Sequence, residues 1–394
     1  MDFSLTDEQR SIVEVTRSFV ERELYPHEAE VERTGVLRHE LAEQIKEKAI
    51  STGLHAANVP EDVGGAGLDT VTWVLYEKEL GRASYALHSC IGRPSNILLA
   101  GTDAQKERYL YPSVRGERRD CLALTEPDAG SDLRSMRTRA VRDGDGWRIN
   151  GTKHFISHAQ ESDFVILFAQ TGDQTGDRTD DRTDDTAGGK AMSTFLVDLD
   201  TPGLRVHDGY RNVSHRGYTN AILDFDDCHV AADALLGEAG KGFELAGTWL
   251  GSTRLQVAAN CLGRAERALD LSVRHAAHRV QFGQRIGRFQ GVSFKLADMA
   301  MELRAAELLT LQAAWAYDAG LATDADIAIA KLKTTEVLAM VADEAIQIHG
   351  GMGLMDELPL ERIWRDARIE RIWDGTSEIQ RHIISRALLR PLGA

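Results

Sequence analysis

Apolar residues recur at helical intervals through the first third of the chain. They shift to short β-prone runs in the middle and return to helical spacing in the last third. Near the start, Thr6 and Gln9 have capping-box spacing. Ile12, Val13, Phe19, Val20 and Leu24 follow at helical intervals before Pro26. Further helical runs are expected over 37–50, 70–82 and 86–110. Between the second and third runs, Glu61 to Asp69 is glycine-rich. Such a stretch is either a phosphate loop or a reversal between helices. The reversal is favoured, because no strand precedes it as a dinucleotide-binding turn requires.

The middle runs are Cys121–Leu124, Trp147–Ile149, Phe164–Ala169, Thr194–Val197, Leu204–Val206 and Ala221–Phe225, separated by clusters such as Asp143-Gly144-Asp145-Gly146. Gly172 to Lys190 interrupts them and repeats Asp-Arg-Thr-Asp. It is too polar to bury a core and is expected to be a mobile hairpin extension. Its aspartates lack the spacing of an EF-hand calcium loop. In the last third, helices are expected to begin near Phe243, Phe289, Asp324 and, for a shorter one, Thr376. Small residues such as Ala297 and Ala300 favour the close packing of a four-helix bundle. The pattern predicts a mainly α protein with a middle β-domain: an N-terminal helical domain over 1–120, a β-barrel or sandwich over 121–232, and a helical bundle over 233–394.

Several function classes are disfavoured. A net charge of −15 argues against a generic nucleic-acid binder. No apolar run reaches the roughly 18 residues of a membrane span, and residues 1–10 carry no signal core. Cys90, Cys121, Cys228 and Cys261 form no C-x-x-C pair, which fits a reducing cytoplasm rather than a disulfide framework or zinc site. His154/His158 and His275/His278 have helix-face spacing, but no carboxylate recurs with them to suggest a metal site.

The chemistry concentrates in a few segments. Leu122-Ala123-Leu124-Thr125-Glu126-Pro127-Asp128-Ala129-Gly130-Ser131-Asp132 joins a strand end to a Pro turn and small polar residues. Asn150-Gly151-Thr152-Lys153-His154-Phe155-Ile156-Ser157 follows. Later come His278-Arg279-Val280-Gln281-Phe282-Gly283, Phe289-Gln290 and Gln347-Ile348-His349-Gly350-Gly351. The last is Ile372-Trp373-Asp374-Gly375-Thr376-Ser377-Glu378-Ile379-Gln380-Arg381. In this order, the segments closely resemble those of the flavin-dependent acyl-CoA dehydrogenases, and together they span nearly the whole chain.

The resemblance implies FAD as cofactor and an acyl-CoA thioester as substrate. It places Thr125 against the flavin ring, with Leu122, Leu124, Gly130, Ile156, Thr376 and Glu378 among the flavin contacts. Ser131 lies near the pyrophosphate and the CoA arm. Phe155 stands where the family usually has Trp, and Ser157 where it has Thr. Arg279 corresponds to an arginine that reaches the FAD pyrophosphate of a neighbouring subunit, a role suited to a forked guanidinium. Gln281, Phe282, Phe289, Gln290, Gln347, His349, Gly350 and Gly351 also match FAD-contacting positions. A homotetramer built as a dimer of dimers, and an electron-transfer flavoprotein as acceptor, are implied as well.

The resemblance implies that Asp374 removes the substrate α-proton while a β-hydride passes to flavin N5. The Asp374 backbone N–H would stabilise the enolate oxygen. Trp373, Gly375, Arg254 and Ser131 would line the substrate site. Most relatives with a base at this position carry Glu. Aspartate is shorter by one methylene, roughly 1.5 Å of reach. The family's alternative base position, just before Arg254, holds Thr253, which cannot serve. Gly251 also departs from the Asp common in relatives. His88, Arg93 and Asn96 fall on the helix that forms the pocket floor in relatives. They would either admit a polar or bulky acyl group or face a subunit contact or solvent. An acyl-CoA oxidase and a catalytically degenerate flavoprotein scaffold are the alternatives. The retained carboxylate and the acidic charge oppose the scaffold reading, which is suggested by a branch of this superfamily that associates with DNA.

Overall fold

The computed structural model describes residues 4–172 and 191–393. Apart from Gly172, the acidic insert lies outside them. The first third forms α1 (Asp7–Phe19), α2 (Glu28–Thr34), α3 (His39–Ser51) and α4 (Thr70–Leu80), followed by the short α5 (Tyr85–His88), α6 (Asp103–Gln105) and α7 (Tyr111–Val114). The Thr6–Gln9 capping box starts α1, and the Asp69 side chain caps α4 by accepting from the Thr72 N–H. The glycine-rich stretch is a reversal between α3 and α4, containing one short helical turn, Glu61–Val63.

The helix expected over 86–110 is broken. It stops at His88, resumes as a turn over Asn96–Ala100, and restarts after Gly101. Pro94 explains the first break: it lacks an N–H donor and disfavours helical geometry at Arg93.

Eight strands follow: β1 (Asp120–Ala123), β2 (Arg139–Asp143), β3 (Gly146–Ser157), β4 (Phe164–Gln170), β5 (Met192–Asp198), β6 (Leu204–Asp208), β7 (Asn220–Ala231) and β8 (Leu235–Leu236). They make one sheet in the order β6-β7-β3-β2-β4-β5-β8, with β1 pairing parallel to β4. The run at Trp147–Ile149 is part of a twelve-residue strand whose other half carries polar residues. β2 was not expected. Only Ala140 of its five residues is buried, so its pattern resembles a solvated loop.

The last third forms α8 (Gly242–His278), a hairpin of β9 (Val280–Gln281) and β10 (Gln284–Arg285), then α9 (Gln290–Asp318), α10 (Asp324–His349), α11 (Leu360–Glu370) and α12 (Ser377–Leu389). A buried core of small and aliphatic residues, including Ala265, Ala306, Leu338 and Ala342, joins α8, α9 and α10. The additional helix α11 was not expected. Its segment reads as basic, yet Arg362, Asp366 and Glu370 are buried, each facing an opposite charge.

Close approach and buried charge dock the N-terminal helices on this bundle. A Cβ on Gly263 would lie 1.9 Å from the Lys78 carbonyl oxygen, so α4 and α8 can touch only through glycine. Around that contact, Glu28 accepts from Arg267 and pairs with Arg362, and Lys78 pairs with Glu266 and Glu307. The docking sets the walls of the cavity described next.

Candidate active site

A cavity of about 870 Å³ opens where the sheet, α8 and the α11–α12 turn meet. Asp374 sits on that turn with φ +52, and Gly375 follows at φ +92. Two consecutive left-handed residues reverse the chain, and Thr376 then caps α12 by accepting from the Ile379 N–H. Among the described residues the Asp374 backbone N–H makes no hydrogen bond.

The carbonyls of the turn are held from three helices. Arg254 on α8 donates Nε to the Asp374 oxygen at 3.1 Å. Lys331 on α10, fully buried, donates to the Trp373 and Gly375 oxygens at 2.9 and 2.8 Å. Gln380 on α12 donates to the Asp374 and Gly375 oxygens at 3.3 and 2.9 Å. Burial pushes the Asp374 carboxyl up to about 6. Glu370 adds to the rise, while Lys331 and Arg254 oppose it.

Behind Asp374, the Trp373 indole donates to Glu370 Oε2 at 2.8 Å. Glu370 also pairs with Arg264 and with His215 Nε2 at 3.3 Å, and His215 Nδ1 faces Asp366 at 3.3 Å. The His215 ring stacks between Trp373 and Tyr85, with centroids 5.0 and 4.8 Å away. Burial penalises charge on all of these groups, but the pairing wins. Glu370 is held down at about 2, Asp366 well below the carboxylate range, and His215 above its ordinary value.

The opposite wall comes from the sheet. Leu122 lines it from β1, Leu124, Thr125, Gly130 and Ser131 from the loop after β1, and Phe155, Ile156 and Ser157 from the end of β3. The loop is anchored from inside. Glu126 accepts from the N–H groups of Arg137 and Thr138 at 2.5 and 2.9 Å. Lys153 donates to Glu126 and to the Leu124 oxygen at 2.8 and 2.9 Å. A register irregularity between Lys153 and Ile156 and a φ of +58 at Phe155 leave the Phe155 ring 54% exposed on the cavity wall. Ser157 shares a 2.7 Å hydrogen bond with the Tyr218 hydroxyl.

Comparison with known proteins agrees with this arrangement. Residues 6–117, 121–228 and 240–389 match the acyl-CoA dehydrogenase N-terminal, middle and C-terminal domain families. The mitochondrial short-chain specific acyl-CoA dehydrogenase of Homo sapiens is 37% identical over 98% of this chain and 91% of its own length. The chain belongs to the acyl-CoA dehydrogenase family. The solved structure of butyryl-CoA dehydrogenase from Megasphaera elsdenii superposes with a TM-score of 0.88, at 35% identity, covering 99% of this chain and 100% of that one. A chain in the structure described as the electron transferring flavoprotein of Acidaminococcus fermentans gives 0.89 at 33% identity, covering 99% and 100%. The protein is therefore an oxidoreductase acting on acyl-CoA, and the family's cofactor is FAD.

The residues present fit such a group. Leu122, Leu124, Ile156 and the exposed Phe155 ring give a planar aromatic system an apolar wall. The Thr125 side chain makes no hydrogen bond among the described residues, so its hydroxyl is available. The other acyl-CoA dehydrogenase positions gather elsewhere, at one end of the bundle where α8, the β9–β10 hairpin, α9 and α10 meet. Arg279, Gln281 and Phe282 are exposed there, Phe282 lies 6.2 Å from Phe289, and His349 stacks on His275 at 4.3 Å. Gln290 opens α9. Gln347 ends α10 beside Gly350 and Gly351, where added Cβ atoms would meet nothing within 4 Å. None of these lines the Asp374 cavity within one chain, and neither does Glu378, which is exposed on α12.

Of the three pocket-floor candidates, Arg93 lines the cavity, His88 is buried beside it, and Asn96 lines a separate cavity of about 540 Å³. Lys331, Glu370, His215 and Arg264 were missed as site residues. A lysine and an arginine on small-residue helix faces carry no local signal. They become recognisable only once the charges or carbonyls that they meet are known.

Proposed function

We propose that this enzyme oxidises an acyl-CoA thioester to its 2-enoyl-CoA, with Asp374 as the base that takes the α-proton. The observation that carries this reading is the raised proton affinity of a carboxyl held on a braced turn in the cavity wall. A carboxylate with a value near 6 is mostly ionised at neutral pH, yet more basic than free aspartate. The free Asp374 N–H would donate to the thioester oxygen as negative charge develops there. Arg254, Gln380 and Lys331 consume the carbonyls on either side, so the turn keeps its left-handed geometry without help from substrate. Trp373 and Gly375 border the acyl group, and Ser131 the CoA arm.

Bound FAD supplies the acceptor for the β-hydride. Leu122, Leu124, Thr125, Gly130, Phe155, Ile156, Ser157 and Thr376 would hold it from this chain. Arg279, Gln281, Phe282, Phe289, Gln290, Gln347, His349, Gly350, Gly351 and Glu378 would reach cofactor across a subunit boundary. This division supports a homotetramer assembled as a dimer of dimers, because the second group stands apart from the cavity. The likeness to a chain in a structure described as an electron transferring flavoprotein supports such a flavoprotein as the electron acceptor. Among the described residues no helix is long and apolar enough to cross a membrane, which is compatible with the proposed cytoplasmic location.

Anaerobic mixing with a panel of acyl-CoAs tests the reading. Flavin absorbance should bleach with at least one saturated thioester and return on adding an electron-transfer flavoprotein or artificial acceptor. Rapid return with O₂ alone would favour an oxidase, and no bleaching with any thioester would refute the dehydrogenase assignment.

A further inference from the structure

The cavity extends past the Asp374 turn. The Tyr85 ring lies 5.2 Å from Trp373 on one side and 6.1 Å from His158 on the other. The same cavity takes in Arg93, Ser95, Arg119, Asp120 and His158. A chamber meant only for a hydrocarbon tail has no use for this many polar groups, because each must be satisfied or pay for desolvation.

The charged groups among them mostly have partners, while the Ser95 hydroxyl and His158 Nε2 have none among the described residues. Arg93 makes two hydrogen bonds to Glu77 and donates to the carbonyls of His88 and Ile91 at 3.0 Å each. His158 faces Glu161 at 3.5 Å, and Asp120 accepts from the Ser95 N–H at 3.4 Å. Arg119 differs. Its backbone is pinned, with its N–H donating to Asp163 Oδ2 at 2.7 Å and its carbonyl accepting from the Asp163 N–H at 2.8 Å. Its guanidinium makes no hydrogen bond or ion pair among the described residues, although the residue is half-buried and lines the cavity. The Tyr85 hydroxyl likewise has no hydrogen-bond partner among them.

The Arg119 charge is felt inside the chamber: after burial, it adds to the lowering of His158, and it partly opposes the burial-driven rise of Cys90 and Tyr85. The neighbouring acid does not engage it: Asp120 forms no ion pair with Arg119 among the described residues and instead accepts from the Ser95 N–H. A guanidinium in this state is built for a planar oxyanion, which it can grip with two parallel hydrogen bonds.

We propose that Arg119, with the Tyr85 hydroxyl lining the same cavity, receives a terminal carboxylate on the acyl group, so that the substrates are thioesters of dicarboxylic acids. The proposal rests on the dehydrogenase reading above and leaves its chemistry unchanged. Asp374 takes the α-proton at one end while Arg119 fixes the other end of the chain. Orientation then comes from both ends, which offsets the short reach of aspartate at the reacting carbon.

The test compares succinyl-, glutaryl- and adipyl-CoA with butyryl-, valeryl- and hexanoyl-CoA on the FAD-loaded enzyme, wild type and Arg119→Met. Binding is read from flavin spectral shifts and turnover from anaerobic bleaching. At least one dicarboxylic thioester should bind wild type about 10- to 100-fold more tightly than its monocarboxylic counterpart, the factor expected of a charge-assisted hydrogen bond. In Arg119→Met the dicarboxylic-to-monocarboxylic ratio of kcat/KM should fall by about the same factor, and Arg119→Lys should recover part of it. Absence of any dicarboxylic preference in wild type, or an equal loss for both series in Arg119→Met, overturns the proposal. If no thioester bleaches the flavin, the dehydrogenase reading fails separately, and the binding comparison still decides the role of Arg119.

Discussion

Lys331 donates to the carbonyl oxygens of both Trp373 and Gly375, at 2.9 and 2.8 Å, and so brackets Asp374 from below. The lysine is fully buried, and burial lowers its proton affinity, yet it retains two charge-assisted bonds. Its position holds the backbone on either side of the carboxyl-bearing residue. Lys331→Met leaves the Trp373 carbonyl without its donor, a cost of about 1–3 kcal/mol when buried, while the Gly375 carbonyl keeps the Gln380 bond. The expected outcome is a fall in kcat of up to about 10²-fold from misplacement of the base, with KM changed far less. The half-rise of the pH–rate profile should also move, because the cation that favours ionised Asp374 is gone. Unchanged kcat and pH profile would show the lysine to be structural only.

The base itself gives a second prediction. Asp374→Asn keeps shape but removes the proton acceptor, so flavin reduction should fall by about 10²- to 10⁴-fold, while acyl-CoA still shifts the flavin spectrum. In wild type the reduction rate should rise with pH through about 6, since only the ionised form accepts a proton. The stability effect has the opposite sign. A carboxyl whose folded value exceeds its unfolded one holds its proton more tightly when folded. It therefore costs stability above that range, and Asp374→Asn should melt no lower than wild type at pH 7. Asp374→Glu restores the longer reach. It should improve simple straight-chain substrates and harm one fixed at both ends.

Glu370→Gln tests the network behind Trp373. Breaking one partner of a buried pair costs about 3–5 kcal/mol, and Arg264 and His215 would both lose an acid. The Glu370 contribution is present above its unfolded value of about 4.3 and is lost as pH falls toward about 2. The His215 contribution is present below about 6.5 and is lost as pH rises through its elevated folded value. The gap in melting temperature between wild type and Glu370→Gln should therefore be widest near about pH 5–6 and narrow toward about pH 3.

Arg279→Ala tests the second group of residues. The guanidinium is exposed and makes no side-chain bond among the described residues, so truncation should leave the fold of the single chain intact. Loss of a bidentate phosphate partner should weaken FAD retention by about tenfold or more. A smaller mass by light scattering should accompany the loss of colour. Full flavin content and an unchanged mass would show that Arg279 touches neither cofactor nor subunit boundary.

Local pattern alone determined the helical, β and helical order along the chain, the cap at Thr6, the long helices of the bundle and the segments that carry chemistry. Asp374, Thr125 and Ser157 could be chosen because their neighbours in sequence form recognisable units. Tertiary structure decided what surrounds them. Lys331 lies 42 and 44 residues from the carbonyls that it holds, Arg264 lies 106 from Glu370, and the Asp366 carboxylate accepts the backbone N–H of His215 from 151 residues away. α11 stayed hidden for the same reason, since its buried Arg362, Asp366 and Glu370 look solvated until their partners are placed. Helical and strand periodicity follows from contacts within a few residues of the chain. The electrostatics of a buried site follow from charges brought together by packing, and no window along the sequence contains both members of such a pair.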